Sequence, residues 1–219
     1  MAKKRTTKKI NKETKQLYWI LVVMAGLILF FLLISVGIQS TKKFEYDGLV
    51  FTKETFGEIP VFHYYRYFNS PNGELIKYNL YLRKDPRKNE VPITGEIFLP
   101  IKQTVFISVN STGLGGEEDE CEFNAVAVAG LTNFLRDNGL SAKGAIPDKG
   151  IAEENKFEHA TCDTHIGSVV ILIQKGEKTE IKMKGLSCYI MDIADCGLLD
   201  AVEKFEVEAL VQARERAGF

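Results

Sequence analysis

Leu17–Ile38 reads LYWILVVMAGLILFFLLISVGI, an apolar run without one charged side chain, and it decides the architecture of the 219-residue chain. At the helical rise of about 1.5 Å per residue it spans roughly 33 Å, enough for the hydrocarbon core of a bilayer. Tyr18 and Trp19 stand where interfacial aromatics anchor such a helix. A cleavable signal needs only about 7–15 apolar residues, although Ser35-Val36-Gly37 has the small-x-small form of a cleavage site. The expectation is an uncleaved transmembrane helix over residues 17–38.

Toward the N-terminus, Lys3, Lys4, Arg5, Lys8, Lys9, Lys12 and Lys15 are opposed only by Glu13, so residues 1–16 carry a net charge of +6. Basic flanks stay in the cytoplasm and suit anionic headgroups, which puts everything after Gln39 on the other side of the cell membrane. Residues 39–47 read as a short polar linker and residues 48–219 as an extracytoplasmic domain with a net charge of −7. An acidic domain is a poor match for nucleic acid, and none is expected as a partner. The expected partners are the lipid bilayer, through Leu17–Ile38, and an envelope protein or glycan.

The first half of the domain, residues 48–102, is β-rich. LVFTKETF (49–56), VFHYYRYF (61–68), ELIKYNLYLR (74–83) and GEIFLP (95–100) read as strands separated by Gly, Pro and Asn clusters. The second and third flank Asn69-Ser-Pro-Asn-Gly73, in which Pro71 presets φ and Gly73 tolerates a positive one, so they form a hairpin. Ile76, Tyr78, Leu80 and Leu82 share one face of it, opposite Lys77, Asn79 and Arg83, and a period of two says that one face is buried.

Residues 103–219 change character. TVFISVN (104–110) is a β-branched strand, and Glu122–Asn138 follows as a helix that buries Phe123, Val126, Ala127, Leu131, Phe134 and Leu135 before Gly139 stops it. Together they make a βα unit. A short strand near Lys143–Ile146 and a turn of helix near Asp148–Glu154 come next. Val169–Gln174, Thr179–Lys184 and Cys188–Ile193 then read as a three-stranded meander with a tight hairpin at Gly176. The last helix, 197–216, presents Leu198, Val202, Phe205, Ala209 and Ala213 at helical spacing, with acids at its start and Arg214 and Arg216 at its end. The fold class is α+β: an N-terminal transmembrane helix followed by a mixed α/β ectodomain, with no linker dividing its two halves.

YNLYLRKDPRKNEVPITG (78–95), AVAGLTNFLRDNGL (127–140) and SCYIMDIADCGLLDAVEKF (187–205) resemble phrases of uncharacterised single-pass membrane proteins of small-genome archaea. The resemblance covers most of the ectodomain and implies a fold. It implies no activity and carries over no site.

Chemistry-bearing residues are sparse. His159, Cys162 and His165 lie at i, i+3 and i+6, and imidazole with thiolate is a zinc or copper donor set, lacking here a fourth ligand from the same segment. Cys121 and Cys196 each precede a helix whose N-terminus favours a thiolate, but Glu117–Glu120, Asp192 and Asp195 oppose it and no C-x-x-C is present. Gly113-Leu-Gly-Gly116 has the glycines of a phosphate loop without the Lys-Ser/Thr that completes one. Asn110-Ser111-Thr112 is a glycosylation triplet on the exported side. Arg83-Lys84-Asp-Pro-Arg87-Lys88 is a basic turn, read as a solvated loop or as a contact for anionic headgroups. Tyr64, Tyr65, Tyr67, Tyr78 and Tyr81 occupy both faces of the hairpin, so one set is either exposed or covered by the rest of the domain.

Four cysteines in an oxidising compartment read as two disulfides. If Cys188–Ile193 is one continuous strand, Cys188 and Cys196 lie roughly 25 Å apart, far beyond the about 4.4–6.8 Å that a disulfide bridges. Strands 169–174 and 188–193 run the same way in a meander, which sets Cys162 and Cys188 at one sheet end. A parallel strand at 104–110 brings Cys121 and Cys196 together at the other. The expected pairs are Cys162–Cys188 and Cys121–Cys196. The function these features favour is a non-enzymatic, membrane-tethered binding module; the rival is an exported metal-binding or thiol-redox enzyme.

Overall fold

The computed structural model describes residues 12–69, 73–112, 114 and 121–218. The chain divides into two compact units, Met1–Phe44 and Glu45–Phe219. Most of the basic tail, the tip of the hairpin turn (70–72) and the glycine-rich loop with its acids (113 and 115–120) lie outside the described residues.

The first unit is dominated by α1 (Lys12–Thr41), 30 residues long. Its stretch Lys15–Leu32 has a mean hydropathy of 2.0 and no buried residue, which makes it a helix long and apolar enough to cross a membrane. The expected linker is not irregular chain. Nothing in Gln39-Ser40-Thr41 breaks the helical ladder, and Lys43–Tyr46 (β1) then alternates exposed and half-buried residues as an edge strand does.

In the second unit, β2 (Leu49–Phe56), β3 (Ile59–Asn69) and β4 (Leu75–Leu82) complete a sheet of order β1-β2-β3-β4. β3 and β4 pair antiparallel, with Phe62 opposite Leu82 and Asn69 opposite Leu75. The stretch 95–100 is no strand. Ile97 N–H donates to Gln212 Oε1 at 2.6 Å, Arg216 Nη2 donates to the Ile97 carbonyl at 3.0 Å, and Tyr189 Oη serves both the N–H and the carbonyl of Phe98. Side chains thus satisfy the backbone that a sheet would otherwise pair.

The larger sheet is built from β5 (Ile93–Thr94), β6 (Thr104–Val109), β7 (Ser141–Ile146), β8 (Glu158–His159), β9 (Val169–Lys175), β10 (Glu180–Lys184) and β11 (Cys188–Ile193). Its order is β5-β10-β11-β9-β6-β7-β8. β8, β7, β6, β9 and β11 are mutually parallel, and β10 lies antiparallel to β11. Helix α2 (Asn124–Asp137) links β6 to β7, and α3 (Lys149–Asn155), capped by Asp148 Oδ1 on Ile151 N–H at 2.9 Å, links β7 to β8.

Strands β9 to β11 do not form a meander, because β9 pairs with β11 directly and β10 occupies the far side of β11. Val169, Val170, Ile171 and Ile173 in β9 and Tyr189, Met191 and Ile193 in β11 are all buried, and parallel neighbours buried on both faces are the arrangement such apolar runs suit. Gly176 therefore marks no hairpin. A Cβ there would stand 2.6 Å from Asp192 Cβ, so the glycine lets the chain leave β9 tightly against the end of β11.

The final helix, α4 (Leu198–Ala217), packs against α2, and both lie between the two sheets. Phe205 meets Tyr189 of β11 at a ring distance of 5.4 Å on one side. On the other, Glu203 accepts the N–H groups of Arg83 and Lys84 just after β4. Helix α4 is consequently buried nearly all round, with Glu203, Glu206, Val207, Leu210 and Val211 added to the expected stripe, while Ala213 is exposed. In α2 the buried side begins at Ala127; Phe123 and Val126 are exposed, Phe123 lying before the helix beneath the Arg83 guanidinium.

Candidate functional site

Alternation along β3 sends Phe62, Tyr64 and Arg66 to the helix side of the four-stranded sheet and His63, Tyr65 and Tyr67 to the opposite side. The inner face is covered by α2 and α4, and Tyr78, Leu80 and Leu82 are buried there. The outer face is not covered by the domain. Tyr65, Tyr67, Tyr81 and Phe56 stand on it between 43% and 57% exposed.

These rings are held rather than loose. Tyr81 stacks on His63 at 4.3 Å and 15°, Phe56 meets Tyr81 edge-on at 5.3 Å, and Tyr65 meets Tyr67 edge-on at 5.9 Å. Lys77 Nζ sits 4.4 Å over the Tyr65 ring. His63, only 5% exposed, anchors the group: Nδ1 lies 2.9 Å from Glu54 Oε1, and Nε2 lies 3.0 Å from Asn79 Oδ1. A Glu–His pair is the orienting half of a general-base arrangement. Here Asn79 occupies the second nitrogen and Tyr81 covers the ring, so no imidazole nitrogen is free for a substrate. The trio fixes an aromatic platform.

The other candidates are dispersed. Cys162 is bonded to Cys188 and Cys121 to Cys196, with Cα separations of 5.5 and 5.3 Å, and no cysteine is free. That takes the Cys162 sulfur out of the metal-donor set. His159 Nε2 bonds the Pro147 carbonyl at 3.1 Å, while His165 Nδ1 bonds Thr164 Oγ1 at 3.0 Å with its ring against Phe106. Among the described residues no group of three or more His, Cys, Asp and Glu side chains is placed to hold a metal ion. Asn110 is half-buried, its Oδ1 accepting the Thr112 N–H at 3.2 Å.

The basic turn is not simply solvated. Asp85 binds Arg87, Lys84 reaches Asp200 at 2.9 Å, and Arg83 lies over Phe123.

Two acids of α4 escaped the sequence reading. Glu203 is buried and accepts the N–H groups of Arg83 at 2.6 Å and Lys84 at 3.0 Å; burial, reinforced by Asp200, pushes its pKa up to about 7 despite those bonds. Glu206 is pushed well above the ordinary carboxyl range by burial, with Glu203 adding to it. The signal that finds them is the second apolar line of Val207, Leu210 and Val211, which makes the helix apolar on two sides.

No protein-family model, curated protein or solved structure matches the chain.

Proposed function

We propose that this protein is a single-pass membrane protein, N-terminus in the cytoplasm, whose extracytoplasmic domain binds a partner protein of the cell envelope through the outer face of its four-stranded sheet. The observation that carries the reading is the fixed, uncovered platform of Tyr65, Tyr67, Tyr81 and Phe56. Tyrosine buries large area at low entropic cost and is enriched in interface cores, and the flanking Glu54, Lys77 and Asn79 supply the polar rim. The apolar helix α1, the basic tail and the two disulfides support the topology.

A photo-crosslinking residue at Tyr67 of the full chain in native membranes tests it, with Lys143 as the control position. The expected result is one discrete adduct from Tyr67, lost on substituting alanine for Tyr65 and Tyr81 without a change in melting temperature. External protease should reach the domain of intact cells and spare the tail. Equal labelling from Lys143, or adducts that survive the alanines, refutes the binding face. Digestion of the tail alone refutes the topology.

A further inference from the structure

The helices do not fill the inner face of the four-stranded sheet. Between β4 and the α2–α4 layer lies a cleft of about 460 Å³, walled by Phe68, Ile76, Leu80 and Phe134. Two polar groups line it from within the domain. Tyr78 is 3% exposed and its hydroxyl has no hydrogen-bond partner, the nearby Asn138 amide lying outside bonding geometry. Glu206 is 4% exposed, and its carboxyl makes no hydrogen bond or ion pair among the described residues. Buried polar groups are almost always paired, so the orphan Tyr78 hydroxyl on the same cleft as the unpaired Glu206 carboxyl calls for a ligand.

Gly130, inside α2, also lines the cleft. A Cβ there would stand 3.8 Å from Glu206 Oε1, so the glycine keeps the approach to the carboxyl open at the stability cost that glycine carries inside a helix. Asp137 and Asn133 of α2 are exposed at the rim.

We propose that this cleft binds a small organic cation, a primary ammonium on an apolar body, with Glu206 and Tyr78 Oη accepting its N–H groups and the apolar walls taking its carbon chain. An ammonium brings three donors and no acceptor, which matches a carboxylate beside a phenol oxygen. An anion meets two acids, and a neutral alcohol supplies a single donor. The charged groups around Glu206 agree with this sign. Asp137 comes from α2 and Glu203 from the preceding turn of α4; Lys77 also lines the cleft along β4, but its Nζ is drawn 4.4 Å over the Tyr65 ring, and the Arg66 guanidinium near the Tyr78 ring is held by Asn138 Oδ1 at 2.9 Å. Burial raises the Glu206 carboxyl well above the ordinary carboxyl range, and an ammonium beside it draws it back down, so binding passes protons from the carboxyl to the buffer.

The test is calorimetric titration of the full chain in lipid nanodiscs with hexylamine, hexanol and hexanoate. Hexylamine should bind at least about tenfold more tightly than hexanol, the worth of a charge-assisted hydrogen bond, and hexanoate should not bind. The heat should vary with the buffer's ionisation enthalpy in the sense of proton release. Glu206→Gln should abolish both the preference and the proton release. Tyr78→Phe removes a hydroxyl that bonds nothing, so it folds and should weaken hexylamine several-fold. Alanines at Tyr65 and Tyr67, on the other face, should leave hexylamine binding intact. Equal affinity for the three probes, no binding of hexylamine, or full affinity in Tyr78→Phe overturns the proposal.

Discussion

Raising the pH from about 5 to about 8 should destabilise the domain through α4. Glu203 titrates near 7 in the native state against an ordinary value of 4.5. Below 4.5 both native and unfolded chains carry the neutral acid, and its stabilising contribution is complete. As the pH rises past that point the unfolded chain releases its proton while the native chain keeps it. Each pH unit then favours unfolding by about 1.4 kcal/mol, until the native carboxyl ionises as well. Between the two pKa values the loss totals about 3 kcal/mol, a large share of the 5–15 kcal/mol typical of a domain. Glu206, also raised by burial, adds to the decline. Asp85 and Glu180, whose pKa values their basic partners lower, lose their contributions only below 3.8 and 4.5 and so act outside this window. Urea unfolding of the full chain in detergent, followed by circular dichroism across this range, measures the slope. Glu203→Gln should be less stable than wild type near pH 5, since one oxygen facing the Arg83 and Lys84 N–H groups becomes an amide nitrogen. Near pH 8 the order should reverse. Parallel curves for wild type and variant would refute the reasoning.

Two further outcomes follow from the same structure. The 26-residue separation of Cys162 and Cys188 is nested inside the 75-residue separation of Cys121 and Cys196, and removing either pair should cost about 3–4 kcal/mol by chain entropy; urea titration of paired alanine variants measures it, and a loss under about 1 kcal/mol for either pair contradicts the estimate. Gly176→Ala should cost about 1–3 kcal/mol because its Cβ collides with Asp192 Cβ, whereas Gly144→Ala, whose Cβ finds Phe157 at an ordinary 3.9 Å, should be near neutral; thermal melts compare them.

What sequence could reveal depended on how many sides of an element are buried. The hairpin was legible because Ile76, Tyr78, Leu80 and Leu82 obey a period of two, and the βα unit because a β-branched run precedes a periodic helix. The relative directions of β6, β9 and β11 were also accessible, and these directions bring the four cysteines to two sheet ends. Strand order was not. Equally apolar strands at 169–174 and 188–193 carry no mark saying which neighbour each will take, so the crossover that seats β10 beyond β11 had no local signature. The candidate cleft was hidden for a related reason. A search for one apolar stripe on α4 places Glu203 and Glu206 in solvent, whereas burial between two sheets turns them inward.

The position of α4 between the sheets also sets a constraint on biogenesis. Arg83 N–H bonds Glu203 across 120 residues of sequence, and the inner face of the β2–β4 sheet meets its cover only when residues 198–217 are present. A chain synthesised from its N-terminus delivers that sheet first, with Tyr78, Leu80 and Leu82 uncovered while more than a hundred residues are still to come. Contacts of such long range form slowly, and a sheet waiting with a bare apolar face is prone to wrong pairing. The two disulfides close only after Cys188 and Cys196 have been made, immediately before α4, so covalent locking and completion of the middle layer fall together.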